Sequence, residues 1–191
     1  MKRVVITGAG TINALGHNVP DTLAAMREGV CGIGPLEFRD VDRLSIKIGG
    51  QVRGFNPEVQ FKRQKLSLYD RYTQFALIAA REAVEQSGLE FDDELSVQTG
   101  VILGNSGGGM NTLDDNYRTV YEKGKNRVHP FVVPKLMNSA AVGHLSMEFN
   151  LQGPSFTVAT AGASSNHAMA QAFQMVHSGI TPVMITGGSE S

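Results

Sequence analysis

Short apolar, β-branched runs that end at glycine or another turn residue alternate along this chain with longer stretches of helical periodicity. The short runs predict strands at residues 2–7, 46–52, 97–103, 155–160 and 182–186. The longer stretches predict helices at residues 19–28, 66–87, 110–122, 132–151 and 164–178. Since strands that are joined through helices pair in parallel, this alternation predicts an α/β fold with helices layered on a largely parallel sheet.

The composition supports a single globular domain over residues 1–191. Hydrophobic residues make up 41% of the chain and charged residues 18%, which is typical of a chain with a packed core. The formal net charge of -1 argues against a general nucleic-acid binder. The sequence shows neither a signal peptide nor an apolar run long enough to span a membrane, so we predict a cytoplasmic protein without a membrane partner.

The sequence stops soon after its last predicted strand, in "GGSES". Layered α/β domains rarely end so abruptly, which favours a missing second half over a naturally short protein. The single cysteine, Cys31, excludes an internal disulfide and a cysteine-based metal site. No two of the five histidines are four residues apart, as they are in helical zinc sites, so we expect no metal.

Two glycine clusters follow predicted strands. The first, Gly8 to Gly10, has Asn13 where a dinucleotide-binding motif needs its third glycine, so we interpret it as a structural turn at a strand end. The second, "GNSGGG" at residues 104–109, lacks the lysine of a phosphate-binding loop. Its glycines predict close approach to the backbone by either another chain segment or a flat apolar substrate, and both interpretations stay open.

A third stretch, "FTVATAGASSNHA", runs from a strand directly into a helix start. Ser164 or Ser165 is predicted to cap the helix, and His167 in its first turn is interpreted as structural. A cysteine just before such a helix would be a good nucleophile, because free amides and the helix dipole lower its pKa. Gly162, at the apex of the turn, has no side chain, and "GASSN" is not the serine nucleophile elbow of hydrolases.

Several segments together resemble the β-ketoacyl synthases, the elongating condensing enzymes of fatty acid and polyketide synthesis. They are "VVITGAGTINALG", "GVILGNSGGG", "VPKLMNSAAVGHLSMEFNLQGPSFTVATA", "ASSNHAMAQAFQMVHSG" and "VMITGGSES". The resemblance extends from Met1 to Ser191. It implies a thiolase-like layered αβαβα fold built from two similar halves, of which this chain supplies the N-terminal half.

The resemblance also implies a reaction and partners. In the family, a cysteine takes an acyl group from the phosphopantetheine arm of acyl carrier protein. Malonyl-carrier protein then loses carbon dioxide, and the resulting carbanion attacks the acyl thioester to give a 3-oxoacyl chain two carbons longer. The synthase itself needs no cofactor. The expected assembly is a homodimer or a heterodimer with a second synthase chain, and the pathway, fatty acid or polyketide, stays open.

The sequence departs from the family at the nucleophile. The family motif T-A-C-A-[ST]-S reads here Thr160-Ala161-Gly162-Ala163-Ser164-Ser165, so Gly162 stands where cysteine is expected. The family's two catalytic histidines, its lysine and its "GFGG" turn belong to the C-terminal half, and none of the histidines here lies in a matching motif. The chain is therefore expected to be inactive in condensation.

Three explanations of Gly162 compete. The favoured one is an engineered replacement of cysteine, made to trap a substrate or carrier protein. The second is a natural partner subunit like the chain-length factors of aromatic polyketide systems, although those usually carry glutamine there. The third is the loss of a modified cysteine from the sequence record. A non-catalytic scaffold that binds carrier protein is a further alternative, while a thiolase acting on coenzyme A would need the same cysteine.

The resemblance assigns two further sets of residues. Gly107 and Gly108 are expected to line the acyl pocket, where a bulky residue at position 107 would block longer chains; tight packing is the alternative. The basic residues of "FKRQKLSLYDR" are expected to dock the acidic carrier protein, although a solvated charged face would look the same. These basic residues are Lys62, Arg63, Lys65 and Arg71.

Overall fold

In the computed structural model, which describes residues 2–191, helices and short strands alternate along the chain. The helices are α1 (Val19–Arg27), α2 (Pro57–Gln60), α3 (Arg63–Leu66), α4 (Arg71–Ser87), α5 (Asp93–Gln98), α6 (Met110–Tyr117), α7 (Val132–Leu136), α8 (Ala140–Glu148) and α9 (Ser164–His177). The strands are β1 (Gly34–Pro35), β2 (Ile48–Gly49), β3 (Gly100–Gly104), β4 (Ser155–Val158) and β5 (Met184–Gly188). A 3₁₀ turn (Val41–Arg43) and a π-helical turn (Arg118–Glu122) complete the regular structure.

A parallel sheet with the order β4-β3-β5 organises the molecule. Val101 of β3 lies opposite Ser155 on one side and Ile185 on the other. Every residue of β3 is buried, as expected for a central strand covered on both faces. Strands β1 and β2 form a separate antiparallel pair of two residues each. The predicted α/β fold with a parallel sheet is therefore confirmed.

The two faces of β3 pack against different helices, because successive side chains of a strand point to opposite faces. Val101 and Leu103 join a core cluster with residues of α4 and α8, whereas Ile102 packs with Ala168 and Ala172 of α9. Full burial of such an aliphatic side chain contributes about 1.5–3 kcal/mol. The larger side chains of the first cluster are those of Phe61, Tyr69, Tyr72, Leu77, Leu145 and Leu151. The result is a helix–sheet–helix sandwich with α9 on one face.

The prediction of a strand at residues 2–7 is wrong. The backbone N–H of Lys2 donates to the carbonyl of His177 at the end of α9 (3.0 Å), and the side chains of Val5 and Ile6 are 60% and 91% exposed. A β-branched run favours extended backbone, but it becomes a strand only when its N–H and C=O groups pair with a sheet edge. Residues 2–7 do not pair with the β4-β3-β5 sheet or with the β1–β2 pair.

The first glycine cluster packs on a helix instead of ending a strand. A Cβ on Gly8 would overlap the carbonyl oxygen of Ala83, and a Cβ on Gly10 would overlap that of Ala79, both in α4. These glycines therefore allow the N-terminal segment to lie directly on the backbone of α4. The first glycine cluster therefore has a structural role, but this role is packing against α4 and not a turn at the end of a strand.

The long predicted helix over residues 66–87 begins only at Arg71. Its start is set by Asp70, whose carboxylate accepts from the N–H of Tyr72 (3.4 Å), the pattern of an N-cap. The same carboxylate accepts from Thr112 N–H (2.7 Å) at the start of α6, so this buried side chain joins two helix starts. At the other end Gly88 adopts a left-handed φ of 65° and caps the helix C-terminus.

The helix predicted over residues 132–151 is two helices, α7 and α8. Met137 breaks them with an extended ψ of 139°, and its carbonyl accepts a hydrogen bond from the phenol of Tyr72 (2.5 Å). Burial raises the pKa of that phenol above its ordinary value, so it stays a donor. A tertiary contact thus fixes a break that helical periodicity alone does not show.

Candidate functional site

Three loops meet at the carboxyl edge of the parallel sheet, where ligands bind in open α/β folds. The loop after β3 is tied to β4 by a hydrogen bond from Asn105 N–H to the carbonyl of Val158 (3.1 Å). The segment after β5 is tied to β3 by one from Ser189 N–H to the carbonyl of Gly104 (3.2 Å). The turn after β4, residues 159–163, leads into α9 at the same edge.

The turn after β4 contains a strained residue, Ala161, followed by Gly162, which has open space around it. Ala161 has a φ of 50°, which residues other than glycine adopt rarely and at a cost on the order of 1 kcal/mol. Gly162, by contrast, is not in the left-handed region, and a Cβ built on it would have no heavy atom within 4 Å. A side chain at position 162 would therefore enter open space immediately before α9.

Ser164 does not cap α9, and neither does Ser165, so the capping prediction is wrong. The cap position belongs to Ala163, which has no side-chain hydrogen bond. The hydroxyl of Ser164 turns back toward the sheet instead: it accepts from Thr160 N–H (2.9 Å) and donates to the carbonyl of Ala161 (2.6 Å). These bonds link the end of the strand to the start of the helix across the turn.

Two glycines at strand ends let α9 approach the sheet. A Cβ on Gly104, the last residue of β3, would overlap the backbone of Ser164 and Ser165. A Cβ on Gly188, the last residue of β5, would overlap the hydroxyl oxygen of Ser165. The N-terminus of α9 therefore rests on a bare stretch of backbone, which we call the glycine cradle (Gly104 and Gly188).

The three glycines of the β3 loop have different surroundings. Gly108 has a φ of 67°, and Cβ atoms on Gly108 and Gly109 would lie too close to the backbone of α7. Both are explained by packing against another chain segment. A Cβ on Gly107 would meet only movable side chains, 3.1 Å from Cγ of Met110 and 3.3 Å from Oε1 of Glu190. Gly107 is the one of the three that faces flexible groups at the sheet edge.

Glu190 is a component of this edge that the sequence analysis missed. Its carboxylate accepts from the N–H and the hydroxyl of Ser106 (2.9 and 2.7 Å), while the buried amide of Asn105 donates to the carbonyl of Ser189 (2.6 Å). The position of "GGSES" after a predicted parallel strand was the available signal, since the carboxyl ends of parallel strands meet at one edge. Beside Glu190 lies a cleft of about 140 Å³ lined by Gly10, Thr11, Phe75 and their neighbours.

The four predicted docking residues fall into two groups. Lys62, Arg63 and Lys65 are exposed within one turn at α3, and none forms an ion pair with any residue of the described chain, 2–191. Arg71 is half-buried instead: its guanidinium lies 5.5 and 5.2 Å from the ring centres of Phe55 and Phe75. We call the three exposed residues the α3 basic patch.

Two histidines lie near the described groups: His167 at the turn after β4 and His144 near Lys65 of the α3 basic patch. Nδ1 of His167 is 3.2 Å from the hydroxyl oxygen of Thr160, so the imidazole braces the turn after β4 and agrees with a structural role. His144 packs edge-on against Tyr69, with ring centres 4.6 Å apart. Burial, and secondarily the positive charge of Lys65, lowers the pKa of His144 below its ordinary value. His144 is therefore neutral near pH 7 and adds no charge to the α3 basic patch.

The described part of the chain contains no group of three or more His, Cys, Asp or Glu side chains arranged to hold a metal ion. A second cleft, of about 590 Å³, lies between α1 and α4, away from the strand-end loops. No helix within residues 2–191 is both long and apolar enough to cross a membrane.

Comparison with known proteins connects this geometry with one family. The family described as "Beta-ketoacyl synthase, N-terminal domain" matches residues 1–191. The chain is 36% identical over 190 residues to 3-oxoacyl-[acyl-carrier-protein] synthase 2 of Staphylococcus aureus (strain N315), covering 100% of this chain and 46% of the relative. It is 39% identical over 190 residues to nodulation protein E of Rhizobium sp. (strain N33), covering 100% and 47%. The chain thus spans about half the length of the curated relatives it matches.

Solved structures show the same fold. The ishigamide ketosynthase/chain length factor superposes with a TM-score of 0.89 at 25% identity, covering 100% of this chain and 48% of that one. A type II polyketide acyl carrier protein in complex with its ketosynthase gives a TM-score of 0.84 at 22% identity, covering 100% and 51%. These likenesses confirm the predicted thiolase-like α/β fold.

Proposed function

The chain belongs to the β-ketoacyl synthase family, and we propose that its fold serves the condensation of an acyl thioester with a malonyl thioester, both carried by acyl carrier protein. We further propose that Gly162 occupies the nucleophile position and that the chain with glycine there cannot hold the acyl group. The observation that carries both statements is the open space at Gly162, immediately before α9.

The physical case rests on the surroundings of position 162. A sulfur there would lie at the positive end of a 14-residue helix, where a thiolate is stabilised. The N–H groups of Ala163 and Ser164 already donate to the carbonyls of Thr160 and Ala161 (both 3.1 Å), so they shape the turn and are not free to bind the thioester oxygen. Without the sulfur, no bond can form to the acyl carbon and the carrier thiol cannot leave.

A non-catalytic partner subunit is the second candidate. It is favoured by the likeness to a ketosynthase/chain length factor, whose name joins two synthase-type functions, together with glycine at position 162. In that case the chain would pair with a second synthase chain that supplies the cysteine. Pairing with an identical chain is the alternative assembly, and the two are separated by the elongation assay described in the Discussion.

We propose that the α3 basic patch docks acyl carrier protein. Reversing all three charges (Lys62→Glu, Arg63→Glu, Lys65→Glu) is expected to weaken carrier binding about tenfold at low salt, because such charges mainly speed encounter, and the effect should shrink as salt rises. Surface plasmon resonance at two salt concentrations would measure it. Arg71 is proposed as a weaker contributor, since its half-buried guanidinium lies against the rings of Phe55 and Phe75.

A matched control reverses three exposed basic residues of another loop, Lys123, Lys125 and Arg127. This variant has the same net charge as the α3 variant, so it separates a local patch from a general charge effect. Equal weakening by both variants, or unchanged binding after reversal of the α3 basic patch, would remove the docking proposal.

We propose that Gly107, with Gly108 beside it, borders the acyl pocket and leaves it open. In a full-length protein carrying Gly162→Cys, Gly107→Ile is expected to shift kcat/KM about tenfold in favour of short over long acyl chains, because the branched side chain would occupy space beside Met110 and Glu190. Gly107→Ala is the control, since its methyl group meets only movable side chains. An unchanged chain-length profile in Gly107→Ile would argue against the pocket role.

A further inference from the structure

The hydroxyl of Ser164 is buried and forms hydrogen bonds with two residues of the turn after β4. Ser164 is 4% exposed, and its Oγ receives the N–H of Thr160 and donates to the carbonyl of Ala161. The Ser164 N–H donates to that same carbonyl (3.1 Å). One residue therefore makes three hydrogen bonds to the two residues that precede position 162.

The double contact with the Ala161 carbonyl fixes the backbone at Gly162. A carbonyl and the following amide form one planar unit, so two donors on the oxygen of Ala161 also fix the nitrogen of Gly162. This restraint is needed because the φ of 50° at Ala161 is unfavourable for alanine and would relax if nothing held it.

The surroundings of Ser164 make the restraint rigid. Its backbone lies on Gly104 of the glycine cradle, at a separation that leaves no room for a Cβ on that glycine. Serine is the smallest side chain that carries a hydroxyl, and its short side chain has few conformations to lose when it is buried. The hydroxyl is therefore held between strand end and helix start by the packing beneath it.

We infer that Ser164 is a positioning residue: its hydroxyl holds the Ala161–Gly162 peptide so that a side chain at position 162 is directed to the N-terminus of α9. The inference rests on the proposed function for its account of position 162. It assigns Ser164 no contact with substrate. It explains why a serine at the second position after the apex turns away from capping the helix.

The test uses the full-length protein with Gly162→Cys and measures the rate of alkylation by iodoacetamide as a function of pH. With Ser164 present, the thiol pKa is expected to lie below that of a free cysteine, about 8.5. Adding Ser164→Ala is expected to raise this pKa by roughly one unit and to slow alkylation at pH 7 about tenfold. Ser164→Thr, which keeps a hydroxyl, should restore most of the effect.

Ser165→Ala is the matched control, because Ser165 lies over Gly188 and not over the turn. It is expected to leave the thiol pKa unchanged. Amide hydrogen exchange gives a second readout: in Ser164→Ala the Thr160 N–H, which loses its acceptor, should exchange at least about tenfold faster. A folded Ser164→Ala protein with an unchanged thiol pKa would overturn the inference.

The remaining outcomes are also decisive. If Ser164→Ala does not fold, Ser164→Thr decides: a folded threonine variant with a low thiol pKa supports the inference, and one with the pKa of a free cysteine contradicts it. If Gly162→Cys with native Ser164 already shows an ordinary thiol pKa, the assignment of position 162 fails, and the inference falls with it. If that pKa is low but insensitive to Ser164→Ala, only the role of Ser164 fails.

Discussion

After incubation with acyl-[acyl carrier protein], the full-length protein with Gly162→Cys is expected to carry one acyl group per chain, whereas the full-length protein with glycine is expected to carry none. The difference is large because glycine offers no atom that can form the covalent intermediate; loss of a catalytic nucleophile in other enzymes costs on the order of 10⁶ in rate. Intact-protein mass spectrometry, followed by peptide mapping to residue 162, would measure it.

The control for this experiment is Gly162→Ala. Because a Cβ at position 162 has nothing within 4 Å, both substitutions should fold as well as the native chain, and alanine should not be acylated. An acyl group found on any residue of the native protein, or on the alanine variant, would contradict the proposal. So would a folded Gly162→Cys protein that stays unmodified.

Elongation assays of full-length Gly162→Cys then separate the two candidate functions. Regained condensation by this protein alone would support a synthase whose cysteine has been replaced. Acylation without condensation, with 3-oxoacyl product formed only when a second synthase chain is added, would support the partner subunit.

A methyl group at the glycine cradle is expected to produce the largest loss of stability. In Gly104→Ala, the new Cβ would overlap backbone atoms of Ser164 and Ser165, which cannot move without lifting α9 off the sheet. We expect a loss of about 3 kcal/mol in the free energy of unfolding. For a chain of this size that is roughly 6–12 °C in Tm, measurable by calorimetry or circular dichroism.

Gly143→Ala provides the matched comparison. Gly143 lies inside α8, and a Cβ there would have no heavy atom within 4 Å. Since alanine is the better helix former, this substitution should stabilise the protein by up to about 1 kcal/mol. The same chemical change is thus expected to have opposite signs at two glycines. A Gly104→Ala protein that melts like the native one would show that α9 does not rest on the cradle.

The sequence pattern predicts those parts of the fold in which local and tertiary preferences agree. The buried run of β3 and the helical periodicity of α9 each point to one structure, and the structure contains both. Residues 2–7 have the same β-branched composition as a strand, but composition does not tell whether a sheet edge is available for pairing. The break at Met137 depends on a phenol that lies 65 residues earlier in the chain, which periodicity cannot show.

The same distinction applies to the candidate site, where some features are predictable from the sequence and others are not. Motif order predicts the position of Gly162 in the turn before α9, because a strand–turn–helix sequence places its apex residue at a helix start. The hydrogen bond from the Ser164 hydroxyl to the carbonyl of Ala161 is not predictable from the sequence, since a serine at a helix start more often caps the helix. Glu190 and Ser106 are 84 residues apart, and their contact becomes visible only when the sheet order is known.

The empty surroundings of Gly162 have a consequence for how such a chain can change over time. The glycine codons GGU and GGC differ from the cysteine codons by one base, and a Cβ at this position would have no heavy atom of the described chain within 4 Å. A single mutation at such a codon can therefore exchange glycine and cysteine without a steric clash at Cβ. At Gly104, by contrast, a Cβ would overlap the backbone of Ser164 and Ser165, so any such exchange there also changes stability.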